Sequence, residues 1–312
     1  GIKRMEKFAD EILERKIEGS FKIHLRTETI DQLSDAYLDK IKRAGVDIIG
    51  AGVESALEEE LRTFSKRTTI EKSIRAINKL EYQDKFFAIV GYIMFNPELK
   101  PEDFIKKVEF LKQINRGWDY MNLAHSTLVF PGTRYHNYIK SRGLEAKHDE
   151  LAPLIPYIFM HEKTKKIADE VSNLKIRCPG VIKLNNRIYD ALNLISRYSN
   201  KMNESLWRED FSFRRFKSDI KDILVETTDK YAEYMQELSE TVNSPRDKEE
   251  MVLLFWKHIP TFFPKVLDRT NKTIDAFIIN LESKGLPTSR LYLKTWLSIR
   301  DTKENIAGGK NE

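Results

Sequence analysis

The sequence predicts an α/β chain: a partial, parallel-stranded TIM-like (β/α) barrel followed by an all-α region. Three observations predict it. Up to about residue 150, apolar segments of period two alternate with segments of helical period, the pattern of a parallel sheet with helical crossovers. The run Phe86–Phe95 is apolar on both faces, as a parallel strand covered by helices is. After that point strand-like alternation stops, and only Gly180 and Gly285 interrupt residues 151–307. The predicted organisation is a partial barrel over 1–147, a helical domain over 148–305 and a frayed tail over 306–312.

The elements follow in order. Met5, Phe8, Ala9, Ile12 and Leu13 recur at helical spacing across 2–17, before Gly19. Phe21–Arg26 alternates as a strand. A helix over 30–44 is closed by Gly45 past its C-terminus, and 47–53 is the next strand. Thr69 is placed to cap a helix over 69–82. A strand over 86–95 precedes a helix over 101–114 with Pro101 in its first turn. Residues 120–130 read as a fourth strand, broken by Pro131-Gly132-Thr133, and 134–141 as a short helix. The second half reads as helices over 151–176, 181–204, 210–242, 246–258, 262–283 and 288–300. Ser244-Pro245 marks a helix start and Gly285-Leu286-Pro287 a break.

Composition narrows the function classes. The chain has 312 residues, 41% hydrophobic and 32% charged, which is globular rather than disordered. No apolar run reaches the roughly 20 residues that span a bilayer. The run Met251–Trp256 suits a short buried helix. Trp256, Phe262, Phe263 and Trp296 fall at helical spacings and are expected in the core. The single cysteine, Cys178, excludes an internal disulfide and suits a reducing cytoplasm. The net charge of +5 is spread among interleaved acids. Around Phe213-Arg214-Arg215-Phe216-Lys217 a solvated helix face is favoured over a nucleic-acid site. His161-Glu162 begins no His-Glu-x-x-His zinc motif, so no metal ligands are assigned.

Barrel strands point alternate side chains inward and toward the helices. Phe21, Ile23 and Leu25 are assigned to the helices, and His24, Arg26 and Glu28 to the interior. Ile49, Ala51 and Val53 face out, and Gly50, Gly52 and Glu54 face in. One face of 86–96 carries Ile89, Gly91, Ile93 and Phe95. The interior therefore has a polar wall, a glycine floor and an apolar patch. Arg26, Glu54 and Asn96 sit at C-terminal strand ends, where barrels carry function. An Arg26–Glu54 ion pair that satisfies itself is the structural alternative.

With these motifs the chain resembles radical S-adenosylmethionine enzymes, in the branch associated with cobalamin-binding domains. The resemblance rests on Phe8–Ile12, His24-Leu25-Arg26, Leu38–Val46 with Gly52-Val53-Glu54-Ser55, Phe64–Thr68, Val90–Pro97 and Val129–Tyr135, in the family's order over about residues 1–145. It identifies the strands as the third to sixth of a (β/α)6 barrel. It implies that Gly52, Glu54 and Ser55 meet the ribose and methionine part of S-adenosylmethionine. Arg26 is implied near the methionine carboxylate or the substrate, Ile93 beside adenine, and Asn96 among the cofactor-binding residues. His24 and His125 become substrate-side candidates, and the substrate is a small molecule or peptide. A flavodoxin or ferredoxin is implied as electron donor.

Two departures matter. Asn96-Pro97-Glu98 replaces the family's usual Gly-x-Pro-Gly-Glu-Thr segment. The Cys-x3-Cys-x2-Cys motif that holds three irons of a 4Fe–4S cluster is absent. The chain opens on Gly1 at the helix after the family's second strand. The expectation is the C-terminal part of a longer enzyme, inactive alone, with the cluster ligands and any cobalamin domain outside this chain. The rival is a cluster-less barrel remnant acting as a binding or scaffold protein. An aldolase-like barrel is disfavoured, because the strands offer only Lys22, at the wrong end.

Overall fold

A computed structural model describes residues 2–82, 85–149, 151–201, 210–242 and 247–284. The chain is mixed α/β and mostly helical, built on a three-stranded parallel sheet in the order β1-β2-β3. Helix α1 (Ile2–Glu14) precedes β1 (Phe21–Arg26). Helices α2 (Thr27–Gln32) and α3 (Asp35–Arg43) lead to β2 (Val46–Glu54), and α4 (Glu58–Thr63) and α5 (Ile70–Glu81) lead to β3 (Phe87–Tyr92). The expected helix over 30–44 is thus two helices. Its break is at Leu33-Ser34, where the Ser34 hydroxyl caps α3 by accepting the Tyr37 N–H. Thr69 caps α5 as its position predicts, accepting the Lys72 N–H at 3.3 Å.

The alternation assigned from sequence is seen on β2, where Ile49, Ala51 and Val53 are buried among the helices. Beyond Tyr92 the phase is lost: Met94 and Phe95 are both buried, and Phe95 stacks on Phe104 at 5.7 Å. Phe95 therefore belongs to the core under α6 (Pro101–Gln113) and not to the interior patch.

The fourth strand over 120–130 does not form. Residues Tyr120–Ala124 make a helical turn, α7, because the buried Asp119 carboxylate accepts the Met121 N–H at 3.1 Å and the Asn122 amide at 3.0 Å. What remains of the strand is one parallel bridge, Phe95 to Ser126. Helix α8 (Arg134–Ser141) follows as expected.

The second half is helical: α9 (Glu162–Arg177), α10 (Gly180–Lys201), α11 (Phe211–Thr241), α12 (Asp247–His258) and α13 (Phe262–Ser283). The helix expected from 151 starts only at Glu162, because Pro153 and Pro156 interrupt the approach to it. Helix α10 packs on the N-terminal ends of the strands. There the Ser196 hydroxyl donates to the Asp47 carbonyl at 2.8 Å, and Tyr189 meets Phe87 edge-on at 5.2 Å. Phe213 and Phe216 are core residues beside Phe277, while Arg214 and Arg215 are exposed. The buried-helix reading of Met251–Trp256 fails. Leu254 and Phe255 are buried, but Leu253 is 68% and Trp256 64% exposed, because α12 buries only one stripe. The segment 288–300, Trp296, Ser244-Pro245, the break at 285–287 and the tail lie outside the described residues.

The 31-residue α11 is started by Asp210, whose carboxylate accepts the Ser212 N–H at 2.9 Å and the Phe213 N–H at 3.3 Å. Burial raises the Asp210 pKa, but hydrogen bonds from Ser212, Lys284 and the Phe213 N–H outweigh it and hold the group at about 2. The ordinary value is 3.8, so the cap contributes fully above that pH and is lost as pH falls through the folded value. Asp210→Ala is expected to cost about 1 kcal/mol in urea unfolding near neutral pH. The gap between wild type and variant should close as pH is lowered toward about 2; a constant gap contradicts the assignment.

Candidate functional site

The sheet face away from α3 and α5 is open at its C-terminal end. Register aligns His24 with Gly50 and Ile89, and Arg26 with Gly52 and Gly91. These residues, with Glu28, Glu54 and Lys66, line a cavity of about 400 Å³. The glycines make its space. A Cβ on Gly50 would lie 2.3 Å from His24 Nδ1, and one on Gly52 2.8 Å from Glu54 Oε1. Gly91 instead leaves open room, with no atom nearer than 3.7 Å to such a Cβ.

Glu54 is the last residue of β2 and has φ +70°, a left-handed conformation that costs a non-glycine residue about 1–2 kcal/mol. It is held there by the ladder. The Ile93 N–H donates to the Glu54 carbonyl at 2.8 Å, and the register shifts between Gly52 and Glu54. Its carboxylate pairs with Lys66 at 2.7 Å. Arg26 is 78% exposed and lies 3.6 Å from Glu28. The self-satisfying Arg26–Glu54 pair is therefore not formed, because each group has another partner.

Ser55 and Asn96 face a different environment. Ser55 is fully buried; its hydroxyl donates to Glu60 and accepts the Leu57 N–H at 3.1 Å. The Asn96 amide donates to Glu60 at 2.5 Å, and its carbonyl oxygen accepts the Glu98 N–H at 2.9 Å. The Lys107 ammonium, 0% exposed, completes the cluster at 2.5 Å from Glu60. Burial lowers the Lys107 pKa, and the Glu60 carboxylate opposes that shift. Ile93 is half-buried at the turn out of β3. His125 lies across from it, its carbonyl accepting the N–H groups of Met94 and Phe95 at 2.9 and 3.0 Å. Burial pushes the His125 imidazole below its ordinary range and favours the neutral ring, and the Glu54 charge opposes that shift.

The structure thus brings His24, Arg26, Gly52 and Glu54 together on the open face and sets Ser55 and Asn96 into the buried Glu60 cluster. Sequence reasoning missed Lys66, Glu60 and Lys107. Lys107 carried a signal, since it interrupts the apolar helical stripe of Phe104, Val108 and Leu111. Glu60 carried none, standing in the acidic run Glu58-Glu59-Glu60. Elsewhere among the described residues, Glu233, Glu237 and His258 bring donor atoms within 4.8 Å of one another. Lys257 and Lys230 already neutralise those carboxylates, at 2.7 and 2.6 Å. No helix of the described residues is long and apolar enough to cross a membrane.

No family model matches the chain, and no curated protein sequence matches it. Solved structures do. The structure of OxsB, described as a cobalamin-dependent S-adenosylmethionine radical enzyme, with aqua-cobalamin bound, superposes with a TM-score of 0.52 at 14% identity. The apo, selenomethionine-labelled form of OxsB gives 0.53 at 14% identity. The chain shares its fold with part of that enzyme. The match covers 95% of this chain and 48% of OxsB, so this chain spans about half the length of that protein. At this identity the likeness is one of fold, and the chemistry is argued from the residues.

Removing one partner of a buried ion pair strands the other charge, at a cost of about 3–5 kcal/mol. Glu60→Ala is expected to destabilise the protein by about that amount in urea unfolding, through Lys107. Glu60→Leu combined with Lys107→Met should recover most of the loss. Equal destabilisation by the single and double variants would show that the pair does not hold this end of the sheet.

Proposed function

We propose that this chain supplies one wall of an S-adenosylmethionine site in a cobalamin-dependent radical enzyme. The observation that carries the reading is the open face of a parallel sheet with this fold. On it Arg26 and Glu54, not paired with each other, flank the aligned glycines Gly52 and Gly91. In this reading the glycines admit the sulfonium and ribose. Glu54 accepts hydrogen bonds from ribose hydroxyls or the methionine amine, in competition with Lys66. Arg26 takes the methionine carboxylate, and Ile93 packs on adenine. Ser55 and Asn96 act through Glu60 to fix the strand end. His24 and His125 face the substrate, a small molecule or peptide. The barrel unit is residues 1–147 and the helical unit 148–305, in a cytoplasmic enzyme reduced by a flavodoxin or ferredoxin.

A 4Fe–4S cluster supplies the electron that cleaves S-adenosylmethionine in such enzymes, and it needs three thiolates from the protein. Cys178 is the single cysteine of the chain and sits half-buried at the C-terminal end of α9. The residues present do not fit the cluster. In the proposed reading its ligands and the cobalamin site lie outside this chain, which alone is inactive. The same observation favours a second reading, a cluster-less binding or scaffold protein.

Calorimetric titration with S-adenosylmethionine tests the site. Saturable binding is expected, weakened about tenfold or more by Glu54→Ala or Arg26→Ala, as loss of a charge-assisted contact implies. No binding, or binding indifferent to both substitutions, removes the site reading. A Cys-x3-Cys-x2-Cys motif encoded upstream of Gly1 separates the two readings: its presence supports the radical enzyme, and its absence alongside binding leaves the scaffold.

A further inference from the structure

Two lysines pair with glutamates at the C-terminal end of the sheet, and they differ in whether they can leave. Lys107 is 0% exposed, and separating it from Glu60 strands a buried charge. Lys66 is 34% exposed, and its ammonium reaches Glu54 Oε1 at 2.7 Å. The Lys66 backbone is anchored independently, its N–H donating to the Leu61 carbonyl at 2.8 Å just past the end of α4. The ammonium, on a flexible four-carbon stem, is therefore free to move into water while the loop stays in place. Glu54 is held more firmly. The Ile93 N–H bonds its carbonyl at 2.8 Å, and its carboxylate lies over Gly52, where a Cβ would stand 2.8 Å from Oε1. Both groups line the cavity of about 400 Å³ on the open face.

The charged groups of this face balance one another: Glu54 is paired with Lys66, and Arg26 with Glu28 at 3.6 Å. A ligand therefore gains Glu54 by exchange. What it offers decides whether the exchange is even. An ammonium reproduces the charge-assisted bond that Lys66 gives up, whereas a hydroxyl donates a hydrogen bond and leaves the carboxylate without a cation. We propose that Lys66 is a positioning residue that keeps the seat of the ligand's ammonium. It holds the Glu54 carboxylate until the amine of the amino-acid end of S-adenosylmethionine displaces it. This inference rests on the S-adenosylmethionine reading and assigns Glu54 to the methionine amine, not to the ribose. Lys66 then tunes affinity, because binding gains only the difference between two ammonium contacts.

Calorimetry with S-adenosylmethionine and with 5′-methylthioadenosine, which keeps the adenosine and lacks the amino-acid end, tests the exchange. Lys66→Met is expected to tighten S-adenosylmethionine binding about fivefold, the size of one partly exposed ion pair. It should leave the affinity for methylthioadenosine unchanged. Lys66→Arg, which keeps a cation on Glu54, should bind no tighter than wild type. Arg67→Met removes the neighbouring exposed cation and should change neither affinity, which separates exchange at Glu54 from a general change of charge. Unchanged or weaker S-adenosylmethionine binding in Lys66→Met, an equal gain for methylthioadenosine, or an equal gain in Arg67→Met overturns the proposal. The site reading fails separately. If Glu54→Ala weakens S-adenosylmethionine binding while Lys66→Met does not tighten it, the site stands and the role of Lys66 falls; no binding by any form removes both.

Discussion

A buried ammonium governs the C-terminal end of the sheet. Lys107 rises from α6 into a place where no solvent reaches it, and an isolated charge there is costly. Glu60 therefore has to stand against it, and the short α4 that carries Glu60 has to follow β2 directly. With its charge fixed, Glu60 has acceptor capacity left, which Ser55 and Asn96 fill from the ends of β2 and β3. Lys107 also lies over the Tyr92 ring at 5.6 Å, so the last residue of β3 is held by the same group. Four elements thus meet on one charge pair. The geometry of the strand ends is a consequence of satisfying it.

The left-handed Glu54 follows from that arrangement. Its neighbour Ser55 turns inward to reach Glu60, while Glu54 turns its carboxylate to the open face and to Lys66. Adjacent side chains on a regular strand already point to opposite faces, but here the backbone also turns toward α4 within a few residues. The cost of φ +70° is offset by the ladder bond from Ile93 and by the buried cluster on the other side. The cavity face and the buried cluster are therefore two sides of one turn.

The sheet was legible in the sequence because its strands announce themselves by alternation: Ile49, Ala51 and Val53 are buried, while Gly52 and Glu54 on the other face of β2 are half-buried. Among the described residues, the helices from Glu162 onward were legible for a similar reason, since their apolar residues recur at helical spacing with no period-two alternation. The fourth strand was misread because one side chain decided it. Asp119 has the look of a turn residue in sequence, yet buried beside Tyr189 it nucleates a helical turn that strand-like composition cannot reveal. Trp256 was misread because an apolar run does not say which of its faces is covered. The site was legible as far as period two carried it. Lys66 and Glu60 were not, because a lysine or glutamate in a charged segment has the same appearance whether it serves a buried partner or water.

The two ends of the sheet are built on opposite principles, and this separates their chemistry. At the N-terminal end, α10 packs on the strands, with Tyr189 meeting Phe87 edge-on between them. At the C-terminal end the glycines hold the face clear, and the groups there are charged and partly solvated, with Arg26 78% and Lys66 34% exposed. A ligand at this end meets charges that are already paired with Glu28 and Glu54, so it has to exchange one ionic partner for another and gains only the difference. Affinity from such an exchange is modest unless something shields the face from water. One open wall is thus better suited to orienting a molecule between two surfaces than to holding it alone, and what closes over the face decides how strongly Glu54 and Arg26 act.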